Sequence, residues 1–149
     1  MKIEEEIKQR PFKDGYAKAV VNLLFTQSYV VSRQSRIFKP HDISAEQYNV
    51  LRILRGRFPK PITVSSIQER MLNKMSNASR LVEKLKQKEM VKRTECPEDR
   101  RQVDVSITEK GLDLLELLDK EVKQFNMETI HLDKDEVEQL NHLLDKLRG

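Results

Sequence analysis

The chain has 149 residues, 35% of them charged and 5% aromatic, with no Trp; this length fits one domain, and the apolar positions are too periodic for a disordered chain. The formal net charge is only +4, but residues 60–101 hold eleven Lys and Arg against six Asp and Glu, leaving the remainder close to −1. Positive charge gathered in one middle segment is what a phosphate-binding surface requires, and a single cysteine, Cys96, excludes an internal disulfide.

Residues Met1–Arg10 are charged without an apolar core, unlike a secretory leader, and residues 1–13 read as a frayed arm. The most apolar region, Ala19–Val31, is broken by Asn22, Thr26, Gln27 and Ser28 and falls short of a membrane span, so a cytoplasmic protein is expected. Tyr16, Val20, Leu23, Gln27, Val30, Gln34 and Phe38 recur at spacings of three and four, one face of a long helix that Lys39 and Pro40 stop. Ser44 and Gln47 form a capping box for the next helix, whose apolar face is Tyr48, Leu51 and Leu54. A Gly- and Pro-containing loop over residues 56–61 follows. Thr63 then caps a short helix to Leu72 with Val64, Ile67 and Met71 inward; Asn73–Met75 turn the chain, and Ser76 is read as the cap of a helix reaching Lys88. Two short helices joined by a three-residue turn outline a helix-turn-helix.

Val91–Glu95 and then Val103, Val105 and Ile107, alternating with polar residues, read as a β-hairpin with its tip at residues 96–101 and Pro97 in a type I turn. A hairpin directly after a helix-turn-helix makes a winged helix. Thr108 opens a long helix in which five of the seven residues from Leu112 to Leu118 are Leu, a stripe wide enough for two packing partners. Asp133 and Glu136 form a second capping pair, and Val137, Leu140, Leu144 and Leu147 follow a 3-4-3 seam for a helix–helix contact. The expected fold is mostly α with a small β-hairpin wing: a single unit over 1–149, with a DNA-binding lobe at 45–107 and dimerisation helices at 14–38 and 108–149.

No catalytic constellation accompanies this outline. There is no Gly-rich phosphate loop, and His41, His131 and His142 are scattered in no ligand pattern, so no enzyme, metal or cofactor is expected. The first turn of the second short helix is better furnished. The major groove admits an α-helix whose first residues reach base edges, and Asn77, Ser79 and Arg80 carry donors and acceptors there. Arg80 suits a guanine and Asn77 an adenine, although Asn77 and Ser79 also suit helix capping. Ser65, Ser66, Ser76 and Lys84 suit phosphate oxygens, with a solvated helix face the alternative for Lys84. Arg100 and Arg101 at the hairpin tip suit a narrow minor groove, although Glu98 and Asp99 beside them cancel their charge.

Several segments in order then carry a resemblance: Gln47-Tyr-Asn-Val-Leu51, Met75-Ser-Asn-Ala-Ser-Arg-Leu-Val-Glu-Lys-Leu85, Val91-Lys-Arg93, Pro97-Glu-Asp-Arg-Arg101 and Ile107-Thr-Glu-Lys-Gly111. Together they resemble the multiple antibiotic resistance regulator (MarR) family, over about residues 16–147. The resemblance implies a homodimeric winged-helix regulator of transcription, acting by repression on double-stranded DNA at a pseudo-palindromic operator. Repression is the expected mode because a dimer parked on a promoter blocks polymerase, with activation the alternative that the sequence leaves open. The resemblance also implies that the Asp-x-Arg pattern of the wing maps to Asp99 and Arg101, the Arg entering a groove and the Asp steadying it. Family members often bind small aromatic acids between the dimer helices and the DNA-binding lobe; no residues for such an effector are readable here. Some members sense oxidants through cysteine, but Cys96 stands in no Cys-x-x-Cys motif and reads as incidental. The rival class is a winged helix that binds proteins, which the presence of Arg80 and Arg101 disfavours.

Overall fold

The computed structural model describes residues 1–99 and 101–149, so the expected groove contact Arg100 lies outside the described residues. The N-terminal arm departs from the sequence reading. Ile3–Glu6 form one helical turn, α1, with Ile3 buried. One apolar side chain and one ion pair dock it: Lys18 Nζ lies 2.8 Å from Glu4 Oε1, and this bond holds the Glu4 carboxyl below its ordinary range. Asp14 then accepts from the N–H groups of Tyr16 and Ala17, both at 3.0 Å, satisfying orphan donors and opening α2, Gly15–Phe38. Pro40 sits in a 3₁₀ turn, Lys39–His41, that ends it.

Ser44 and Gln47 close their capping box at 3.1 and 3.2 Å and start α3, Ala45–Arg55. After the loop comes a strand absent from the sequence reading, β1, Ile62–Thr63. Thr63 caps α4, Val64–Arg70, by accepting from the Ser66 N–H at 3.2 Å. This helix stops short of Leu72 because Met71 turns to extended backbone and is buried. The next helix, α5, spans Ala78–Gln87, and its cap is Asn77 rather than Ser76. The hairpin strands are β2, Val91–Glu95, and β3, Val103–Ile107. They belong to a three-stranded antiparallel sheet of order β1-β3-β2, with Ile62 opposite Val105 and Val91 opposite Ile107. The last helices are α6, Glu109–Thr129, and α7, Lys134–Arg148.

One core lies where α3, α4, α5 and the sheet meet α6, built on Leu51, Leu54, Ile67, Leu85, Val105, Leu115 and Leu118. Phe38 stacks on Tyr48 with ring centroids 4.5 Å apart and anchors the end of α2 to α3. Each such side chain is worth about 1.5–3 kcal/mol when fully buried. The junction between wing and α6 is tightly built. Thr108 N–H donates to Met90 O at 3.0 Å, its hydroxyl donates to Glu89 O at 2.7 Å and accepts from Gly111 N–H at 3.2 Å. A Cβ on Gly111 would lie 2.5 Å from Met90 O, so only glycine fits that approach.

The terminal helices are apolar but uncovered. Phe38 is the one fully buried residue of α2, and α7 has none. Tyr16 is 87% exposed and Leu147 61%, with Val20, Leu24, Leu117, Met127 and Leu143 also open. Along the seam Leu140 and Leu147 are exposed and Val137 and Leu144 half-buried, so about 25 cal/mol per Å² is available on covering what remains open.

Candidate nucleic-acid interface

The outer stripe of α5 follows from its sequence. Ala78, Val82 and Leu85 are buried in the core, which turns Ser79, Arg80 and Lys84 to solvent. Asn77 Oδ1 accepts from the Arg80 N–H at 3.1 Å. The cap therefore engages one lone pair of the Asn77 side chain and does not use its amide donors. The first amide of the helix is held from α4: Ala78 N–H donates to Gln68 Oε1 at 3.0 Å. The pose of α5 is thus fixed by side-chain bonds at its start as well as by its buried face.

Beside this start lies a cleft of about 260 Å³ walled by α4, α5 and the wing. Ser65, Ser79 and Arg101 all line it, so three residues picked from separate segments come together. Thr63, Arg93 and Gln102 line it too and were missed in the sequence. Arg93 lies opposite Val105 in the sheet and reaches Glu83 of α5, Nη1 to Oε2 at 2.9 Å. The opposed charges of Glu83 and Arg93 were the available signal, but only once helix and strand were known to be neighbours.

At the tip, Asp99 Oδ1 accepts from the backbone N–H of Arg101 at 2.9 Å, and Asp99 O accepts from the Gln102 N–H at 3.0 Å. Asp99 therefore shapes the backbone of the tip through both its side chain and its carbonyl, and the chain bends at Pro97 and Glu98 before it. Arg101 is exposed. Arg80, Lys84 and Arg101 enter no ion pair among the described residues, so their charge is open to an anionic ligand.

Two expected phosphate contacts fare differently from Ser65. Ser66 is half-buried, with its N–H engaged by the Thr63 cap. Ser76 departs from its expected roles as cap and phosphate contact: it is buried, and its hydroxyl donates to Glu46 Oε2 at 2.9 Å. A phosphate there would meet a carboxylate, and like charges repel.

A second, larger cleft of about 910 Å³ lies between α2, α3, α6 and the α4–α5 turn. Tyr48, Ile53 and Met71 give it an apolar wall, and Gln27, Arg52 and Asn126 give it polar groups. Arg52 Nη1 sits 3.4 Å from the Tyr48 hydroxyl. Among the described residues no helix is long and apolar enough to cross a membrane.

A sequence profile of the MarR family matches residues 43–103, the segment that carries α3 to the start of β3. Over its full fold the chain is similar to the crystal structure of a MarR transcription factor from Planctomyces limnophilus, with 32% identity, a TM-score of 0.70, and coverage of 91% of this chain and 98% of that one. It is 27% identical over 109 residues to the HTH-type transcriptional regulator PecS of Dickeya dadantii, covering 72% of this chain and 66%, just under two thirds, of PecS. The fold also matches that of S. aureus MepR in a DNA complex, with a TM-score of 0.77 at 20% identity over 92% of this chain and 97% of that one.

Proposed function

The chain belongs to the MarR family of transcriptional regulators, and from that premise we propose that it is a homodimeric, DNA-binding repressor acting on a near-palindromic operator in the cytoplasm. The observation that carries this reading is the convergence of Ser65, Ser79 and Arg101 on one cleft, with Ser79 on the same helix as Arg80 and Lys84, which enter no ion pair among the described residues. Arg80, Ser79 and the Asn77 amide address bases in the major groove. Ser65 and Lys84 hold phosphates, and Arg101 enters the flanking minor groove.

The homodimer rests on the uncovered apolar faces of α2, α6 and α7. Patches of this kind mark interfaces, and a closed twofold pair is the commonest solution. Such a pair sets two α5 helices about one DNA turn apart, roughly 34–36 Å. Repression then follows from occupancy, since a dimer on a promoter excludes polymerase. For the larger cleft we propose a small aromatic acid as relieving effector, with Tyr48 and Met71 against its ring and Arg52 against its carboxylate.

Selection of bound duplexes from a random pool tests the DNA reading, with a near-palindrome as the expected product. Light scattering tests the assembly. Removal of residues 133–149 should yield a monomer or aggregate and cost operator binding far more than nonspecific binding. A stable monomer at micromolar concentration that binds one half-site as tightly as the full palindrome would overturn the dimer.

A further inference from the structure

The turn between α4 and α5 shares with the buried face of α5 in setting where that helix points, and its sequence gives it little apolar anchorage. Met71 and Ala78 are buried at either side, but Leu72 is 87% and Met75 91% exposed, and Asn73 and Lys74 are exposed as well. A four-residue stretch with no buried side chain is placed by hydrogen bonds or not at all. Two of them come from α3. Asn49 Oδ1 accepts from the Leu72 N–H at 2.9 Å, and Glu46 Oε2 accepts from the Ser76 hydroxyl at 2.9 Å. Among the described residues these are the side-chain bonds that reach from α3 to the turn. Glu46 and Asn49 stand three apart, hence on one helix face, and that face also lines the larger cleft together with Met71, Leu72 and Asn73.

We propose that Glu46 and Asn49 are positioning residues for DNA recognition: they tie the α4–α5 turn to α3, and so hold α5 in the pose that reads bases. The tie runs along the wall of the larger cleft, so occupancy of that cleft and the pose of α5 depend on the same two side chains. The proposal rests on the DNA-binding reading and is independent of whether an effector exists. Electrostatics alone makes the opposite prediction, because removing the Glu46 carboxylate from a DNA-binding lobe should strengthen binding to any duplex.

The test compares the parent with E46L, E46Q, N49L and S76A. The probes are the duplex the parent selects from a random pool and a scrambled duplex of the same composition, at one salt concentration. A freed turn leaves α5 correctly posed only part of the time, and apparent affinity falls by that fraction. For one hydrogen bond this is about fivefold per recognition helix. E46L, N49L and S76A should therefore lose about fivefold on the selected duplex, or about 25-fold if two copies act on it, with the scrambled duplex little affected. E46Q keeps an acceptor while shedding the charge, and should bind at least as tightly as the parent does. S76A deletes a single oxygen and serves where the larger changes prevent folding. Hydrogen exchange on the parent adds a measurement that needs no variant: the Leu72 amide should be protected, and N49L should release it. Selected-duplex affinity unchanged in S76A and N49L, E46Q falling with E46L, equal losses on both duplexes, or an unprotected Leu72 amide in the parent each overturn the proposal. Failure of the parent to select any duplex would instead sink the DNA-binding reading itself.

Discussion

Substituting Gly111 by Ala sets helix propensity against packing, and the structure says which prevails. By propensity alone Ala should stabilise the first turn of α6 by up to about 1 kcal/mol. The new Cβ, however, would lie 2.5 Å from Met90 O and 2.7 Å from Ile107 Cγ1. The first neighbour is backbone and cannot swing aside; it also accepts the Thr108 N–H at 3.0 Å. Restoring normal contact requires α6 to back away from the wing base by the better part of an ångström. Overpacking of this kind costs about 1–3 kcal/mol, and the strained hydrogen bond adds about 1 kcal/mol. The net expectation is a loss of about 1–3 kcal/mol after the propensity gain, which for a chain of this size lowers Tm by roughly 3–10 °C. Thermal unfolding followed by circular dichroism is the assay, at matched protein concentration because dimerisation would shift Tm by mass action. A variant as stable as the parent, or more so, would show that the Thr108–Gly111 junction is not close-packed and that the reasoning fails.

Arg80→Ala should relax base preference at one position per half-site, whereas Lys84→Ala should weaken all duplexes alike and flatten the salt slope by about one unit; titrations over a set of single-base variants separate the two, and a uniform loss from Arg80→Ala would remove it as a base reader. Arg101→Ala should weaken specific binding by about 1–3 kcal/mol, concentrated on A·T-rich flanks, and unchanged affinity in a folded variant would take the wing out of recognition. Glu89 closes α5 with a φ of 61°, where Met90 N–H returns to Leu85 O at 3.0 Å and Glu89 N–H to Lys86 O at 2.9 Å, so Glu89→Gly should stabilise by about 0.5–1 kcal/mol in urea melts. Its exposed partner Lys110, 3.9 Å away, offsets little of that gain, and a destabilised variant would refute the strain argument.

What the sequence disclosed and what it withheld divide by the distance between interacting residues. Ser44 with Gln47, and Asp133 with Glu136, satisfy helix ends within three residues, and both capping boxes form as read. The wing strands were legible because Val103, Val105 and Ile107 alternate on one face. β1 was not, since two residues carry no period and Ile62 finds its partner Val105 only in the folded chain. The cap of α5 was misassigned for a similar reason. Ser76 and Asn77 are both good capping residues, and the choice between them is made by Glu46, thirty positions away, which takes the Ser76 hydroxyl. Likewise Arg93 gave no local sign of its place beside Ser79 and Arg101, because that place depends on packing the sheet against α5. Around the cleft between α4, α5 and the wing, residue types were readable from the sequence; which of them already serve the fold was not.

That division bears on how one helix can serve two ends. α6 belongs to the core through Leu115, Leu118 and Val122, while Leu117 and Met127 on other faces are 57% and 72% exposed. Its first turn is locked to the wing base by Thr108 and Gly111. Farther along, Asp119 takes a two-pronged bond from Arg55 at the end of α3, with Nη1 at 2.9 Å and Nη2 at 3.0 Å. This contact pushes the Arg55 pKa up, and fork geometry resists rotation better than a single point contact. Two fixed points along one helix leave it little freedom to pivot against the lobe. A shift of α6 across a dimer interface would therefore carry α3 with it, and α3 holds the α4–α5 turn through Glu46 and Asn49. The contacts of Arg55 with Asp119 at one end of α3 and of Glu46 and Asn49 with the α4–α5 turn near the other thus place α3 between α6 and the start of α5.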